Sequence, residues 1–345
     1  MRDLTVSRRL VLGGGALLAA PAIIRSARAA EQCVVGTWGG DYARLLRENI
    51  DDPLMKPAGV EIVQDVGDEN PRVSKLYAQK KLPRGAVDIA CVGALNGFRV
   101  TEAELVEELD DKKVPNLKHV PENLRMPAFV PHIYSAQVLV YNPNTVKEPP
   151  QTMSDLLDPK WKGKVGMVAT VGPWVMQAAS LLESGTTTDF DKAKAFMTKL
   201  AANGLRLYPE TDNLAPAFKS GEIDVGMIWL ARTFMWQNGG FPVKGNFPKE
   251  GAILYVSGMV MPKNAPDKEA AYKYMNALLE PSAQQGFAAH MGYLPTVDNA
   301  PLSGSVGEQL ALPEPKPKLV TPDYPVLSKA FSDLNDWWLK NIQRG

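Results

Sequence analysis

At 345 residues, with 45% hydrophobic and 22% charged side chains, the chain is long enough for two ordinary domains. Its composition is that of a soluble globular protein and excludes a disordered, collagen-like or repeat-array polypeptide. The formal net charge is zero, and removal of residues 1–29 takes five of 38 basic and one of 38 acidic residues, leaving about −4. Neither state carries the dense basic stripe that nucleic acid requires.

Residues 1–29 read as a secretory signal. Ser7-Arg8-Arg9 precedes the apolar run Leu10–Ala20, and Ala27-Arg28-Ala29 supplies a small-x-small cleavage pattern. The paired arginines and the mild, glycine-containing core point to the twin-arginine route, so the mature protein is expected in the periplasm with its signal cleaved. The apolar run is too short, and too interrupted by glycine and Pro21, for a permanent span of roughly 20 apolar residues.

Next, Gln32–Thr37 reads as a buried strand running into Trp38-Gly39-Gly40-Asp41-Tyr42, followed by a helix carrying Leu45, Leu46 and Ile50. The glycine pair permits a tight turn that leaves Trp38 and Tyr42 at the C-terminal end of the strand, the edge where open α/β sheets bind ligands. Val60–Val66 is a second strand, Val73–Gln79 a helix opened by Pro71, and Val87–Val92 a third strand. This alternation implies a mainly parallel, doubly covered sheet, placing the fold class as α/β. The acidic run Glu102–Asp111 is expected to be a solvated surface.

Pro127–Asn142, with FVPHIYSA before VLVY, reads as an extended crossing between lobes, because proline forbids helix while β-branched and aromatic residues favour extension. Met153–Pro159 is a short capped helix and Trp161–Val168 a strand. The strand ends near Thr170, and Gly172-Pro173 opens a helix from Trp174 to Leu182 whose amides form a candidate anion site. Phe190–Ala202 is an amphipathic helix, Leu205–Tyr208 a strand and Ala215–Lys219 a helical turn ended by Gly221.

Gly221–Phe234, GEIDVGMIWLARTF, is the stretch on which the rest is organised. A glycine turn and a short apolar strand deliver Trp229 and Arg232 to a cleft. Ala252–Pro262, holding Tyr255 and Ser257, reads as a second crossing. Lys268–Leu279 and Ser282–Ala289 are helices before the Met291–Thr296 turn with Tyr293. Pro313–Pro325 is expected to wrap the surface, and Ser328–Ile342 is a closing helix whose Phe331, Leu334, Trp338 and Ile342 serve packing.

His119, His132 and His290 are isolated, and no zinc spacing, nucleophile elbow or Walker loop is present. No metal, cofactor or catalytic constellation is therefore expected. Cys33 and Cys91 lie in apolar runs and read as two free buried thiols.

The signal, the strand ending in Trp38, VDIACVG, FVPHIYSAQVLVYNP, WKGKVGM, GEIDVGMIW and the run from AILYVSGMVMPKNAPDKEAAYKYMNALLEP to HMGYLPT together resemble the family 1 extracellular solute-binding proteins, nearest the spermidine/putrescine-binding branch of ABC importers. The resemblance implies a two-lobed type II periplasmic-binding-protein fold with two hinge crossings. Lobe one would take 30–133 plus 258–305 and lobe two 134–257, with 306–345 a C-terminal extension. It also implies a small-molecule solute and a membrane permease as partners, and a monomer.

Carried over residue by residue, the family's aromatic box falls on Trp38, Tyr42, Trp229, Tyr255 and Tyr293. The family's acids are replaced by Ser257 and by the Thr170–Trp174 loop, while Arg232 is added beside Trp229. An uncompensated arginine repels a dication and attracts a carboxylate. The expected solute is a small carboxylate or zwitterion, its acid group on Arg232, Thr170 and the helix start near Gly172. Trp38, Tyr42, Trp174, Trp229 and Tyr255 would wall its body, and Asp41 or Asp212 would meet an amine. A polyamine binder, an enzyme on the same fold and a ferric-ion binder stay open as alternatives.

Overall fold

The computed structural model describes residues 31–344, so the expected signal lies outside the described residues. A first parallel unit consists of β1 (Glu31–Thr37), α1 (Gly40–Leu46), β2 (Val60–Val66), α2 (Glu69–Gln79), β3 (Ile89–Gly93) and α3 (Ala94–Glu102). β1 lies between β2 and β3, parallel to both, with Val34 opposite Val63 and Val35 opposite Ile89. Cys33, Val35, Ile89 and Val92 have no exposed surface, as expected of strands covered on both faces. α2 begins two residues before Pro71; in the first helical turn the missing proline N–H costs nothing.

β4 (Val130–Tyr141) then leaves this unit. Its first half pairs antiparallel with a later strand, and a register shift falls between Pro131 and Ile133, where proline cannot donate to the ladder. A second unit follows with β5 (Val165–Val168), α4 (Gly172–Ser184), α5 (Phe190–Ala202), β6 (Arg206–Tyr208), α6 (Thr211–Ser220), β7 (Val225–Trp229) and α7 (Leu230–Asn238). α6 is a ten-residue helix rather than the short turn read from sequence. A reciprocal cap between Glu210 and Asn213 satisfies its first amides, and the left-handed Gly221 ends it.

β8 (Lys244–Asn246) edges β4 and leads to β9 (Ala252–Val260). The chain closes through α8 (Lys268–Leu278), α9 (Pro281–Met291), β10 (Leu294–Pro295), α10 (Gly304–Leu310), β11 (Leu319–Val320) and α11 (Tyr324–Trp338).

The strand order is β2-β1-β3-β9-β4-β7-β5-β6. Two parallel three-stranded units are thus joined through one antiparallel pair, β9 and β4. β4 bonds β9 over Val130–Ala136 and β7 over Gln137–Tyr141, while β9 bonds β3 over Ser257–Val260. The two crossing strands thus link the halves, β4 through its ladders to β9 and β7 and β9 through its ladders to β3 and β4, which gives the two-lobed type II fold its two hinges. The C-terminal segment touches both halves. Arg99 of α3 donates to Ser328, and Trp338 donates to the Ala169 carbonyl after β5.

Candidate functional site

Both parallel units place a tryptophan at or just beyond a strand end, with a helix starting within two residues. After β1, Gly40 takes a left-handed φ of 62°, which turns the chain into α1 without a side-chain clash and leaves Trp38 half-buried. Tyr42, one turn on, meets Trp38 edge to face at 4.9 Å, and its hydroxyl lies 2.7 Å from His132 Nδ1. Phe287 closes this cluster, 4.2 Å from the His132 ring. Complete burial pushes His132 down to about 3. The imidazole is therefore neutral at pH 7 and shares one hydrogen bond with the Tyr42 hydroxyl, while its Nε2 is buried without a partner among the described residues. Behind Trp38, the Arg72 guanidinium lies 5.4 Å from the ring and donates to the Cys91 and Gly67 carbonyls, each at 2.6 Å.

On the opposite wall β7 ends at Trp229, whose ring stands 5.2 Å from Tyr255. Tyr255 and Ser257, two apart on β9, share one strand face. The Ser257 hydroxyl donates to the Tyr255 oxygen at 2.7 Å, which leaves the Tyr255 proton for another acceptor. Tyr293 follows at 6.2 Å from Tyr255. Burial pushes both phenols up, against the pull of the Arg232 charge.

Arg232 is the third residue of α7, whose first turn holds no acid. Among the described residues, its one hydrogen-bond partner is the Met235 sulfur at 3.5 Å. A cation at a helix start works against the macrodipole and adds to its positive end, while the Ala231 amide of that turn donates to Ser135 Oγ at 3.1 Å.

These walls enclose a cavity of about 380 Å³ bounded by Trp38, Gly39, Asp41, Tyr42, Ile133, Arg232, Met235, Tyr255, Ser257, Met291 and Tyr293. The expected Trp38, Asp41, Tyr42, Arg232, Tyr255, Ser257 and Tyr293 are brought together there. Asp41 is already engaged, since its carboxylate accepts from Arg44 at 3.1 Å while exposed to solvent. Trp229 and Trp174, 6.3 Å apart, extend the aromatic row behind Tyr255. Trp174 borders a second cavity of about 250 Å³, with Glu69, Arg99 and Phe331.

Thr170 and Asp212 border neither cavity. Thr170 is exposed in a turn, and Asp212 is exposed in the first turn of α6. The expected anion site near Gly172 is also absent, because the Trp338 indole packs onto Gly172 so closely that a Cβ would collide with it. Ala169 there accepts from Trp338 and Gln343 at 2.8 and 2.6 Å. The α4 start is thus roofed by a helix that sequence reasoning assigned to packing alone. Met235, Met291 and Ile133 were not anticipated. Met235, one turn beyond Arg232, was within reach of helical spacing, whereas nothing local marks Glu69, Arg72 or Arg99.

Cys33 and Cys91 are free and buried. Gly36 pairs with Ala90, so Cys33 lies roughly four residues out of register, about 13 Å at strand rise and beyond disulfide reach. Burial pushes both thiols up, Cys91 to about 12. Among the described residues no group of three or more His, Cys, Asp or Glu converges as metal ligands would, and no helix is long and apolar enough to cross a membrane.

Residues 52–314 match the family model of the bacterial extracellular solute-binding proteins. The spermidine/putrescine-binding periplasmic protein of Salmonella typhimurium is 26% identical over 299 residues, covering 81% of this chain and 80% of its own. Among solved structures, the Atu4243-GABA receptor superposes with a TM-score of 0.78 at 20% identity, over 89% of this chain and 96% of the other. The spermidine/putrescine substrate-binding protein PotD of Streptococcus pneumoniae gives 0.70 at 18%, over 89% and 99%. At these identities the solved structures speak for the fold alone. Because the family match runs through both parallel units and both crossing strands, this chain belongs to the bacterial extracellular solute-binding protein family, the solute-capturing components of ABC importers.

Proposed function

We propose that the protein, exported through its twin-arginine signal and freed of it in the periplasm, captures a small carboxylate or zwitterion between its lobes and presents it to a membrane permease. Lobe one takes residues 30–133 plus 258–305 and lobe two 134–257. β4 and β9 are the hinges about which a monomer closes on solute. Binding rather than catalysis is its role, in keeping with the family and with thiols that burial holds protonated.

One observation carries the choice of solute. Arg232 borders the larger cavity with no carboxylate paired to it among the described residues, while the acid in that cavity's lining, Asp41, pairs with Arg44. Tyr255 adds a donor, offering its hydroxyl proton because Ser257 donates to its oxygen. A carboxylate gains a charge-assisted pair with Arg232 and this second donor, whereas an ammonium would have to meet the unpaired Arg232 charge. The GABA named for one structural neighbour is a zwitterion, a class that this fold can therefore accommodate.

The relatives' names support a polyamine instead. Thermal unfolding of the mature protein against carboxylates, amino acids, ω-amino acids, putrescine and spermidine separates the two. Ligand at about a thousand times its Kd adds roughly 4 kcal/mol to stability. Carboxylates or zwitterions are expected to raise the midpoint; a shift with polyamines alone overturns the reading.

A further inference from the structure

We infer that the second cavity, across Tyr255 from Arg232, is the amine end of the same binding site: Glu69 takes the ammonium group of an extended zwitterion whose carboxylate pairs with Arg232. This rests on the carboxylate assignment above and narrows its class to solutes whose charges stand several methylenes apart.

Tyr255 borders both cavities and is the partition that they share. From it an aromatic row runs into the second cavity, with Tyr255 to Trp229 at 5.2 Å, Trp229 to Trp174 at 6.3 Å and Trp174 to Phe331 at 6.4 Å. Such a row offers ring faces against which an apolar chain can lie. Glu69 borders the same cavity beside Gly93, the strand partner of Ser257, and is held by one oxygen. Oε1 accepts from the Gly93 amide at 2.9 Å and from Asn96 Nδ2 at 2.6 Å, while Oε2 has no partner among the described residues.

Arg99 lines the same cavity but is committed elsewhere. Its Nε and Nη2 donate to Ser328 Oγ and O at 3.0 and 3.3 Å, its Nη1 to Asn96 Oδ1 at 3.3 Å, and its guanidinium lies 5.2 Å over Phe331. The carboxylate oxygen left for a ligand is therefore that of Glu69. Burial and the neighbouring Tyr293 push the Tyr255 phenol up most, and the charges at both ends act on it more weakly, Glu69 upward and Arg232 downward. An α-amino acid, with both charges on one carbon, cannot meet the two ends together.

Calorimetry with glycine, 4-aminobutanoate, 6-aminohexanoate and 8-aminooctanoate, beside the n-alkanoates of equal length, tests this on wild type, Glu69→Gln and Arg232→Ala. Glu69→Gln keeps an acceptor for Gly93 and Asn96. We expect affinity to rise from glycine to a longer chain. Glu69→Gln should weaken the ω-amino acids at least about tenfold and leave alkanoates unchanged, with Arg232→Ala weakening both. The wild type alone gives a second readout, since 6-hydroxyhexanoate should bind at least about tenfold more weakly than 6-aminohexanoate.

Equal affinity of wild type and Glu69→Gln for the ω-amino acids overturns the inference. So do dicarboxylates binding more tightly than ω-amino acids of the same length, which would make Arg99 a second anion site. If carboxylates depend on Arg232 while Glu69 is silent, this inference alone falls. If no carboxylate or zwitterion responds to Arg232→Ala, the proposed function falls with it.

Discussion

The walls of the cleft that carry Trp38 and Trp229 are built alike and finished differently. Each is a parallel strand ending at a tryptophan, with a helix starting within two residues. On the first-unit wall the groups nearest the aromatic surface are engaged, Tyr42 with His132, Arg72 with two carbonyls and Asp41 with Arg44, although Thr37 Oγ1 and His132 Nε2 are buried without a partner among the described residues. On the second-unit wall the same device leaves Arg232 with only a sulfur for a partner. A group whose hydrogen bonds are already made contributes shape and rigidity, whereas one left unpaired in a cavity contributes selectivity. On the proposed function, the first wall is a platform and the second reads the solute.

The sharpest way to break this contrast is through stability on the platform side. Tyr42→Ala removes a nearly buried ring from between Trp38, His132 and Phe287, and should cost about 3–5 kcal/mol in denaturant unfolding. A cost below about 1 kcal/mol would mean that the cluster is not a packed platform.

Arg232→Ala should do the reverse. Solute affinity measured by calorimetry should fall by roughly 1.5–3 kcal/mol, while the unfolding midpoint moves by no more than about 0.5 kcal/mol equivalent. An unchanged affinity would remove the second wall's reading role.

The platform should also show itself in acid. His132 is held neutral with its value pushed to about 3, below the ordinary value near 6.5 of the unfolded chain. Between those two the unfolded chain binds more protons than the folded one, so the stability that His132 supports is complete above about pH 6.5 and is lost on acidification toward pH 3. The slope reaches about 1.4 kcal/mol per pH unit. Asp51, Asp88 and Glu250, raised by burial, act in the opposite direction over the acidic part of this window. The quantity to measure is therefore the pH dependence of wild type minus that of His132→Gln; a difference that is flat from pH 6.5 to 4 would place the imidazole in contact with water.

The smallest effect sharpens the contrast from the solute's side. Asp41→Ala breaks an exposed pair with Arg44 and should change stability and solute affinity by less than about 0.5 kcal/mol. A loss of tenfold or more in affinity would show that Asp41 leaves Arg44 to meet a ligand amine.

Much of the framework was readable from local pattern. The strand–helix alternation, the aromatics at the ends of β1 and β7 and both extended crossings follow from apolar period, glycine turns and proline placement, all local properties. α6 was underread because its start depends on the reciprocal Glu210–Asn213 cap rather than on apolar spacing. The anion site near Gly172 was misplaced for a different reason. Proline and glycine do open a helix there, but whether its amides are free depends on a tryptophan 166 positions further on that packs over them.

By itself the sequence determined which residue types reach the strand ends: Trp38 and Trp229 follow from a short apolar run stopped by a turn or a helix start, and Arg232 from its place three residues beyond. Only the tertiary structure decided which of those polar groups remained unpaired. Pairing depends on partners from distant parts of the chain, such as His132 for Tyr42 and Trp338 for the Ala169 carbonyl, and a buried group's affinity for solute is what those partners leave unsatisfied.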